Sequence, residues 1–422
     1  MSAEYVPCRC LREGCRPSES AGICSKLKHR RHDWAAQAAT ARELAISTIR
    51  YVNTRPEVST EEAMTLPARY YTDPDLFRRE LRAVHHDMWL HAGRLEQLPL
   101  AGSYFLVRFA GVNVIVMRDQ NGEVGAFHNT CRHRGTLLCK EAQGTVAGKI
   151  RCPYHAWTYE LDGTLVGAPN MEKVEGFRME DYPLGKVSTA TWDGHVFINL
   201  SPDPIPFSEH LAGLDKKFAP WEMAGLKLVE RRVYHAKANW KLIFQNYSEC
   251  LHCPIAHPLL NKLSHYMSGD NEPPQPTYLG GRMDLRPGVK TLSMDGQSNR
   301  PHFPGISEED SRHVYYYALL PNFLLNLHPD YMLTFQLWPM AVDQTDIVCE
   351  WHFHPDEIAK PDFDPKGAID FWELTNQQDW ELSDRAQEGI STHGYQPGPY
   401  SNREELLFGL DRWVLERLAR LG

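Results

Sequence analysis

Two short segments that each join a cysteine to a histidine constrain this chain more than any other feature. Cys131 and His133 form the first pair, and Cys152 and His155 form the second pair after 18 intervening residues. Two thiolates and two imidazoles on two similar loops suit a metal, although zinc or unrelated core residues are alternatives. Zinc fingers usually group cysteine with cysteine and histidine with histidine, whereas each loop here supplies one of each. The pattern therefore favours two non-equivalent irons, one held by both thiolates and the other by both imidazoles.

A cluster with this ligand set is suited to electron transfer. Two neutral imidazoles on one iron remove negative charge and raise the reduction potential. Such a cluster accepts an electron from a low-potential donor and passes it onward. A third thiol, Cys139, lies between the two pairs without a matching histidine, and we expect it to be structural.

A second set of metal-binding residue types lies at Glu249, His252 and His257. Two histidines and one carboxylate are the ligands of the facial triad, which leaves positions on Fe(II) open for dioxygen. The carboxylate is either Glu249 or an acid far downstream, and spacing alone does not choose between them. A zinc site using the nearby Cys250 and Cys253 is a further alternative. The downstream candidates are Asp343, Asp346, Asp370, Glu373, Asp379 and Asp384.

Length and composition limit the classes of protein to consider. A chain of 422 residues exceeds the size at which one core usually stops growing, so two domains are expected. A net charge of −9, with acidic and basic residues interspersed, gives no basic face for phosphate groups and argues against a nucleic-acid partner. No apolar run approaches the roughly 20 residues that span a bilayer, so no membrane partner is expected. The cysteines follow no secretion signal and suggest no disulfide framework, which favours the reduced cytoplasm.

Changes in patterning divide the chain into four segments. Residues 1–48 are polar, and their apolar residues follow no clear period, so we expect a weakly ordered extension. Zinc binding by the cysteines of this segment is an alternative. Residues 49–94 read as helical, with Asp73 as N-cap before Pro74. Residues 95–205 read as short strands joined at Asn121-Gly122, Asp162-Gly163 and Asp193-Gly194, which predicts a small all-β domain. Residues 206–422 read as strands followed by helices, an α+β domain.

The segment CRHRG followed by CPYHAWTY resembles the Rieske [2Fe-2S] motif of Rieske non-haem iron oxygenases, the family of ring-hydroxylating oxygenase alpha subunits. The resemblance covers about residues 66–422. It implies an α+β fold with an all-β Rieske [2Fe-2S] domain and a helix-grip, START-like catalytic domain, built from an antiparallel sheet and C-terminal helices. It also implies a Rieske cluster and a mononuclear Fe(II) as cofactors, with Trp157 and Tyr159 packed near the cluster.

The resemblance also assigns roles at the two sites. Cys131, His133, Cys152 and His155 would bind the cluster. His252 and His257 would bind the mononuclear iron together with Asp379, which lies in a C-terminal segment similar to the family's and follows Gln378. Glu249 would be a bridge for electrons between His252 and the cluster ligand His155 of the next subunit. Because the two metals of one chain lie far apart in this family, the resemblance implies a homotrimer closed head to tail.

The substrate is suggested by the spacing around the bridging acid. Aromatic-ring dioxygenases generally carry Asp there, one residue further from the upstream Asn, whereas this chain reads Asn246-Tyr247-Ser248-Glu249. This form resembles the glycine betaine and carnitine monooxygenase branch, whose members hydroxylate a carbon beside a quaternary nitrogen. The alternative is an aromatic-ring dioxygenase or an O- or N-demethylase of an aromatic acid.

The partners of such an enzyme follow from what the sequence contains. No G-x-G-x-x-G segment is visible, so O₂ chemistry would need a separate NAD(P)H-dependent flavin and iron-sulfur reductase besides a small-molecule substrate. A quaternary ammonium would need aromatic faces, and a carboxylate on the substrate would suit Arg282 or Arg286. The aromatic candidates, none of them assigned, are Tyr315, Tyr316, Tyr317, Phe323, Phe335, Trp338 and Trp351.

Overall fold

Antiparallel sheets form the framework of the chain, which a computed structural model describes from residue 63 to residue 421. In chain order the strands are β1 (Leu90–Arg94), β2 (Ser103–Phe109), β3 (Val112–Arg118), β4 (Val124–His128), β5 (Gln143–Thr145), β6 (Ile150–Arg151), β7 (Thr158–Tyr159), β8 (Leu165–Gly167), β9 (Lys186–Trp192), β10 (His195–Asn199), β11 (Lys227–Ala236), β12 (Asp270–Asn271), β13 (Tyr278–Asp284), β14 (His313–Leu319), β15 (Phe323–Leu327), β16 (Met332–Ala341) and β17 (Gln344–Phe353).

Helices lie before, between and after these strands. They are α1 (Arg69–Thr72), α2 (Pro74–Glu80), α3 (Phe207–Leu211), α4 (Leu214–Lys217), α5 (Trp240–Tyr247), α6 (Cys253–Ala256), α7 (Pro258–Leu263), α8 (Pro355–Ile358), α9 (Lys366–Ile390) and α10 (Glu405–Ala419). A π-helical segment, Leu81–His85, continues α2, and short 3₁₀ turns occupy Leu95–Gln97, Met179–Asp181, Ala219–Trp221, Met223–Gly225, Tyr266–Ser268 and Asp310–Arg312. No helix among residues 63–421 has the length and apolarity needed to cross a bilayer.

The first sheet runs in the order β1-β10-β9-β4-β3-β2-β5, beside a small sheet β6-β7-β8. The hairpins predicted from the sequence form at β3/β4, β7/β8 and β9/β10. The tightest of them has Asp193 and Gly194 at φ 42° and 84°, the pair of positive angles that a two-residue hairpin turn requires. Gly163 has φ 86°, and a Cβ there would lie 2.6 Å from the Phe127 ring. The sequence therefore predicted these three hairpins through their turns.

The second sheet runs in the order β11-β17-β16-β15-β14-β13-β12, and its central strands β15 and β16 are buried on both faces. Because side chains alternate along a strand, Tyr315 and Tyr317 lie on one face and Tyr316 on the other. The first face packs against the first sheet, with Phe323 and Phe197 in one apolar cluster. The second face packs against α5 and α9 in the largest core of the described chain. The α+β architecture expected for residues 206–422 is thus observed.

The described part of the predicted helical segment, residues 63–94, contains helices as expected except at its end, while residues 49–62 lie outside the described residues. Asp73 accepts hydrogen bonds from the N–H groups of Asp75 and Leu76 as the N-cap of α2, which confirms the predicted helix start. The buried Lys241 ammonium lies 2.7 Å from Glu80, which ties α2 to α5. The exception is β1, whose residues are all buried and pair with β10, so the first sheet begins before the predicted boundary at 95. The predicted extension 1–48 and its cysteines lie outside the described residues.

Candidate metal centres

Two loops of the same construction carry the cysteine and histidine pairs. In each loop the cysteine N–H donates to the carbonyl five residues on, at 2.9 Å for Cys131 and 2.8 Å for Cys152. Each cysteine carbonyl also accepts the N–H four residues on, at 3.0 and 3.1 Å. The donors of these second bonds, Gly135 and Ala156, both have positive φ, which reverses the chain. The loops therefore present their side chains as two matching pairs.

The two imidazoles of these loops lie together at the surface. The ring centroids of His133 and His155 are 4.7 Å apart, and His133 is exposed while His155 is partly buried. The Trp157 indole stacks on His133 at 4.9 Å with an interplanar angle of 6°. Partial desolvation and the neighbouring His155 lower the pKa of His133, which favours the neutral ring that a metal binds.

The two thiols of these loops are almost fully buried. The Tyr159 hydroxyl lies 3.4 Å from Cys131 Sγ and accepts the N–H of Arg132 at 3.1 Å. Burial raises the pKa of the Cys131 thiol. Buried thiols on one side and accessible imidazoles on the other fit two irons of unequal ligation. Cys139 is a buried free thiol whose backbone is held by Asn129, apart from both pairs in its bonding, as expected of a structural residue.

The second centre is built from the end of α5 to the start of α7, opposite α9. Asn239 caps α5 by accepting the N–H of Lys241, and α5 ends two residues before Glu249. His252 precedes α6, and His257 lies between α6 and α7, where Pro258 begins the next helix. The 25-residue helix α9 supplies the acid from the opposite side. Three short helical segments joined by tight turns thus face one long helix.

His252, His257 and Asp379 converge in this second centre. The Nε2 atom of His257 lies 2.7 Å from Asp379 Oδ1, and the Nε2 atom of His252 lies 3.4 Å from the same oxygen. One potential ligand atom from each residue lies within 4.8 Å of the others, the only group of three such residues found among the described ones. Two neutral imidazoles and a carboxylate around one point fit Fe(II).

The opposite ring nitrogens of the two histidines are held by polar side chains. His252 Nδ1 lies 2.5 Å from Glu249 Oε1, and His257 Nδ1 lies 2.7 Å from Gln378 Oε1. Glu249 is therefore on the far side of His252 from Asp379. Burial opposes protonation of His252, but its hydrogen bonds to Asp379 and Glu249 outweigh burial and raise its pKa to about 10. A metal ion at Nε2 would replace that proton, while Glu249 would keep the Nδ1 proton in place.

The other acidic candidates bind residues elsewhere. Asp346 contacts His235, Asp370 contacts Lys366, and Asp384 accepts the N–H of Lys237. Glu373 accepts from Tyr234 and forms an ion pair with Arg232. Asp343 lies in the turn between β16 and β17. Of the six downstream acids, the structure brings Asp379 to the two histidines.

Cys250 and Cys253 form a disulfide, which the sequence interpretation did not anticipate. Their Cα atoms are 5.0 Å apart because the chain turns into α6 between them. The expectation of reduced cysteines is therefore wrong for this pair. The disulfide also excludes the alternative of a zinc site built on these two thiols, because both sulfurs are already bonded to each other.

Aromatic rings cover the space between the second sheet and the helices of this centre. The Tyr247 ring lies 6.1 Å from Tyr316 and 6.4 Å from Phe335, and Trp372 lies 6.4 Å from Tyr316. We call these four residues the aromatic cluster. Tyr316 is partly buried, and its cross-strand neighbour Asn326 is fully buried. Of the aromatic residues considered from the sequence, Tyr316 and Phe335 belong to this cluster, whereas Tyr315, Tyr317 and Phe323 belong to the core on the opposite face.

Sequence reasoning missed several polar residues beside the aromatic cluster. Asn326 and His328 are fully buried, and each has side-chain nitrogens without a hydrogen-bond partner in the described chain. The signal was present in the segment FLLNLHPD, where polar residues alternate within an apolar strand. A buried strand with a polar residue at every second position places those residues on one face.

Family models match both parts of the chain. Residues 88–178 match the Rieske [2Fe-2S] domain, and residues 223–420 match the catalytic domain of the ring hydroxylating alpha subunit. The glycine betaine monooxygenase oxygenase subunit of Chromohalobacter salexigens is 34% identical over 378 residues, which are 83% of this chain and 84% of the relative.

Solved structures share the fold. The quaternary ammonium Rieske monooxygenase CntA, in complex with L-carnitine, superposes with a TM-score of 0.71 at 23% identity, covering 86% of this chain and 99% of CntA. Naphthalene 1,2-dioxygenase from Rhodococcus superposes with a TM-score of 0.67 at 20% identity, covering 85% of this chain and 95% of that protein.

Proposed function

The chain belongs to the Rieske non-haem iron oxygenases, as a ring-hydroxylating alpha subunit, and on that premise we propose that it hydroxylates an N-methyl group of a small quaternary ammonium compound. It is an oxidoreductase whose family binds a Rieske cluster and a mononuclear iron. The observation that carries the proposal is the aromatic cluster, whose Phe335 ring lies 6.2 Å from the ring of Trp380, the residue after Asp379. The similarity to a glycine betaine monooxygenase subunit supports the same substrate class.

The residues present fit both iron groups. Cys131 and Cys152 would hold one iron of the cluster, and His133 and His155 would hold the other. The mononuclear iron would be held by a second set of three residues, His252, His257 and Asp379. When bound, these groups supply the electron transfer and the dioxygen activation that hydroxylation of a C–H bond requires.

The side chains around the histidines orient them and hold their protons. Glu249 and Gln378 fix the rings of His252 and His257 through Nδ1, so that both Nε2 atoms point toward Asp379. We place Glu249 as the link between His252 and the partner subunit's His155 in a homotrimer. Two facts support this role: Glu249 binds Nδ1 of His252, the ring nitrogen that faces away from Asp379, and His155 Nδ1 has no hydrogen-bond partner within the described chain.

The aromatic cluster suits a cation that cannot donate a hydrogen bond. A trimethylammonium group presents only C–H bonds, and ring faces attract it through their quadrupoles. Tyr247 and Tyr316 offer rings from a helix and a strand, and Trp372 offers a third from α9. Because Tyr247 is two residues before Glu249, a cation among these rings would lie beside the iron ligands.

The proposed reaction inserts one oxygen atom into a C–H bond of a methyl group. The trimethylammonium compound, O₂, two electrons and two protons give an N-hydroxymethyl compound and water. Loss of a proton from the hydroxyl then breaks the C–N bond and yields formaldehyde and the tertiary amine. The electrons come from a separate reductase, which we propose to be an NAD(P)H-dependent flavin and iron-sulfur protein.

Product analysis tests the proposal directly. The iron-loaded protein is combined with such a reductase, NADH and a panel of trimethylammonium compounds and aromatic acids, and formaldehyde and O₂ uptake are measured. We expect equal amounts of formaldehyde formed and O₂ consumed with a trimethylammonium compound. Coupled turnover with aromatic substrates alone would refute the proposal and favour the ring-dioxygenase or aromatic demethylase alternative.

A further inference from the structure

A patch of unpaired polar atoms lies next to the aromatic cluster on the same face of the second sheet. Tyr316 on β14 lies directly opposite Asn326 on β15, and His328 follows two residues later. The Tyr316 hydroxyl, Asn326 Nδ2 and both ring nitrogens of His328 have no hydrogen-bond partner in the described chain. Asn326 and His328 are fully buried. We call Tyr316, Asn326 and His328 the polar patch.

Such a patch is expensive for a protein core. A buried donor or acceptor left unpaired destabilises the fold, because it has lost its hydrogen bonds to water without replacing them. The neighbours Leu324, Leu325 and Leu327 are fully buried and apolar, so an apolar side chain would suit the same strand. Asn326 has one internal bond, because its Oδ1 accepts the Tyr247 hydroxyl, but its amide N–H groups remain unused. Unpaired groups kept together in this way are typical of a ligand site.

The polar patch adjoins the aromatic cluster at Trp372. The ring centroid of Trp372 lies 5.6 Å from that of His328 and 6.4 Å from that of Tyr316. Trp372 and Asp379 are seven residues apart on α9, so they share a helix face and are separated by about 10 Å along the axis. A ligand with its cation among the aromatic rings would therefore direct one end toward Asp379 and the other toward the polar patch.

The atoms of the polar patch are mainly donors. Tyr316 offers an O–H, Asn326 offers N–H groups, and a neutral imidazole at His328 offers one N–H. Burial raises the pKa of Tyr316, so the phenol keeps its proton. Burial and the nearby Arg300 hold the pKa of His328 well below its usual range, so the ring is neutral. Several neutral donors at one place suit a carboxylate.

The basic residues suggested by the sequence do not serve this purpose. Arg282 points to Asp270 and Glu309, and Arg286 donates to the carbonyl of Asn261. A zwitterion does not need a protein cation, because its own trimethylammonium group balances the carboxylate a few bonds away. We propose that Tyr316, Asn326 and His328 bind the carboxylate of a trimethylammonium carboxylate substrate. This inference rests on the proposed function, since it names the substrate class of the same site.

Binding measurements on the iron-loaded enzyme test the inference. Dissociation constants are measured by calorimetry for glycine betaine and for ethyltrimethylammonium, which has the cation but lacks the carboxylate. We expect Tyr316→Phe to weaken glycine betaine binding about tenfold and to change ethyltrimethylammonium binding less than twofold. The matched control is Tyr315→Phe, because Tyr315 is the next residue in the strand but lies on the opposite face and donates to Asp310. It should change neither constant.

A second variant keeps the inference testable if Tyr316→Phe does not fold. The outcomes also distinguish failure of the polar patch from failure of the proposed function. His328→Phe keeps the ring stacked on Tyr331, 3.9 Å away, and should also weaken only glycine betaine binding. The visible spectrum and iron content confirm that each variant is intact. Equal weakening of both ligands, or no weakening of either, would overturn the polar patch while leaving the proposed function in place. A wild-type enzyme that binds neither ligand would overturn the proposed function itself, and the inference with it.

Discussion

At the scale of single residues, the hydrogen bonds of the two imidazoles determine which ring nitrogen is left to bind a metal in the second centre. Nδ1 of His252 is bound by Glu249 and Nδ1 of His257 by Gln378, and the Nε2 atom of each ring faces Asp379. A ring held in this way can bind a metal only through Nε2. The same geometry distinguishes the two acids: Asp379 would bind the iron, whereas Glu249 would orient the ligand His252. Substituting each acid should therefore have a different effect.

Removing the acid between the two Nε2 atoms should remove the mononuclear iron. We expect Asp379→Ala to lose that iron because only two imidazoles remain, while the visible spectrum of the cluster is kept. Iron and acid-labile sulfide analysis of the purified protein measures both. Asp370→Ala on the same helix is the control, since Asp370 contacts the exposed Lys366. Full iron occupancy in Asp379→Ala would show that another residue supplies the third ligand.

Neutralising Glu249, the acid at Nδ1 of His252, should have a different effect. Glu249→Gln keeps a polar group beside His252 Nδ1, so the mononuclear iron should stay bound. Loss of the carboxylate should slow turnover by about 10- to 100-fold, as for other groups that orient metal ligands. Single-turnover oxidation of the reduced cluster measures the step directly, with Glu381→Gln, an exposed residue of α9, as control. Loss of iron in Glu249→Gln would exchange the roles of Glu249 and Asp379.

A buried acid away from both centres makes stability depend on pH. Burial raises the pKa of Asp411 to about 7, although Tyr400 and Gln245 hydrogen-bond to it. An unfolded Asp ionises at a pKa of about 3.9, so between about pH 4 and pH 7 the folded chain binds the extra proton. The free energy of unfolding contributed by this group therefore falls as pH rises through that window.

The variant Asp411→Asn should remove this pH dependence. Relative to wild type, its free energy of unfolding should increase from pH 4 to pH 7 and then stay constant. Denaturant titrations at pH 5, 6, 7 and 8 measure the difference. An unchanged difference across these values would mean that Asp411 does not carry the proton.

At the scale of elements, helix caps are both predictable and testable. Asp73 Oδ1 accepts the N–H groups of Asp75 and Leu76 at 2.8 and 3.3 Å. Asp73→Ala leaves these donors without the cap and should reduce the free energy of unfolding by about 1 kcal/mol. Denaturant unfolding measures the change, and the exposed Asp362→Ala should leave it within error. An equal loss in both variants would show that the cap contributes nothing specific.

The sequence predicted elements where a local rule decides them. Asp73-Pro74 marked a helix start, and Asp193-Gly194 marked a hairpin, because caps and tight turns depend on a few adjacent residues. The assignment of β1 to a helical segment was wrong, because its pairing with β10 joins residues about a hundred positions apart. The polar patch was missed for the same reason, because Tyr316 and Asn326 become neighbours only when β14 and β15 pair.

The candidate sites show the same limit. The cysteine and histidine pairs lie within short loops, so spacing alone pointed to a cluster. Asp379 lies more than 120 residues from His257 in the chain, and it was preferred over other acids only through the family resemblance. The disulfide of Cys250 and Cys253 escaped prediction, because the same spacing suits a metal and a bridge equally well.

At the scale of the whole molecule, a head-to-tail ring makes each catalytic unit depend on two chains. In the proposed homotrimer, one subunit supplies the cluster and its neighbour supplies Glu249 with the iron ligands. A heterologous interface repeated around a ring gives three equivalent junctions of this kind. Inactive chains with defects on opposite sides of the junction should therefore restore each other when they are assembled together.

Cys152→Ser should abolish the cluster, and Asp379→Ala should abolish the mononuclear iron, so each homotrimer is expected to be inactive. Co-expression in equal amounts places an intact cluster beside an intact iron site at about one junction in four, since each side has an even chance. We therefore expect about a quarter of wild-type formaldehyde formation from the mixed protein. Light scattering checks that the assembly is trimeric, and separately purified homotrimers mixed without exchange are the control, which should stay inactive. If co-expressed trimers containing both chains have no activity, the electron path lies within one chain and Glu249 does not join two subunits.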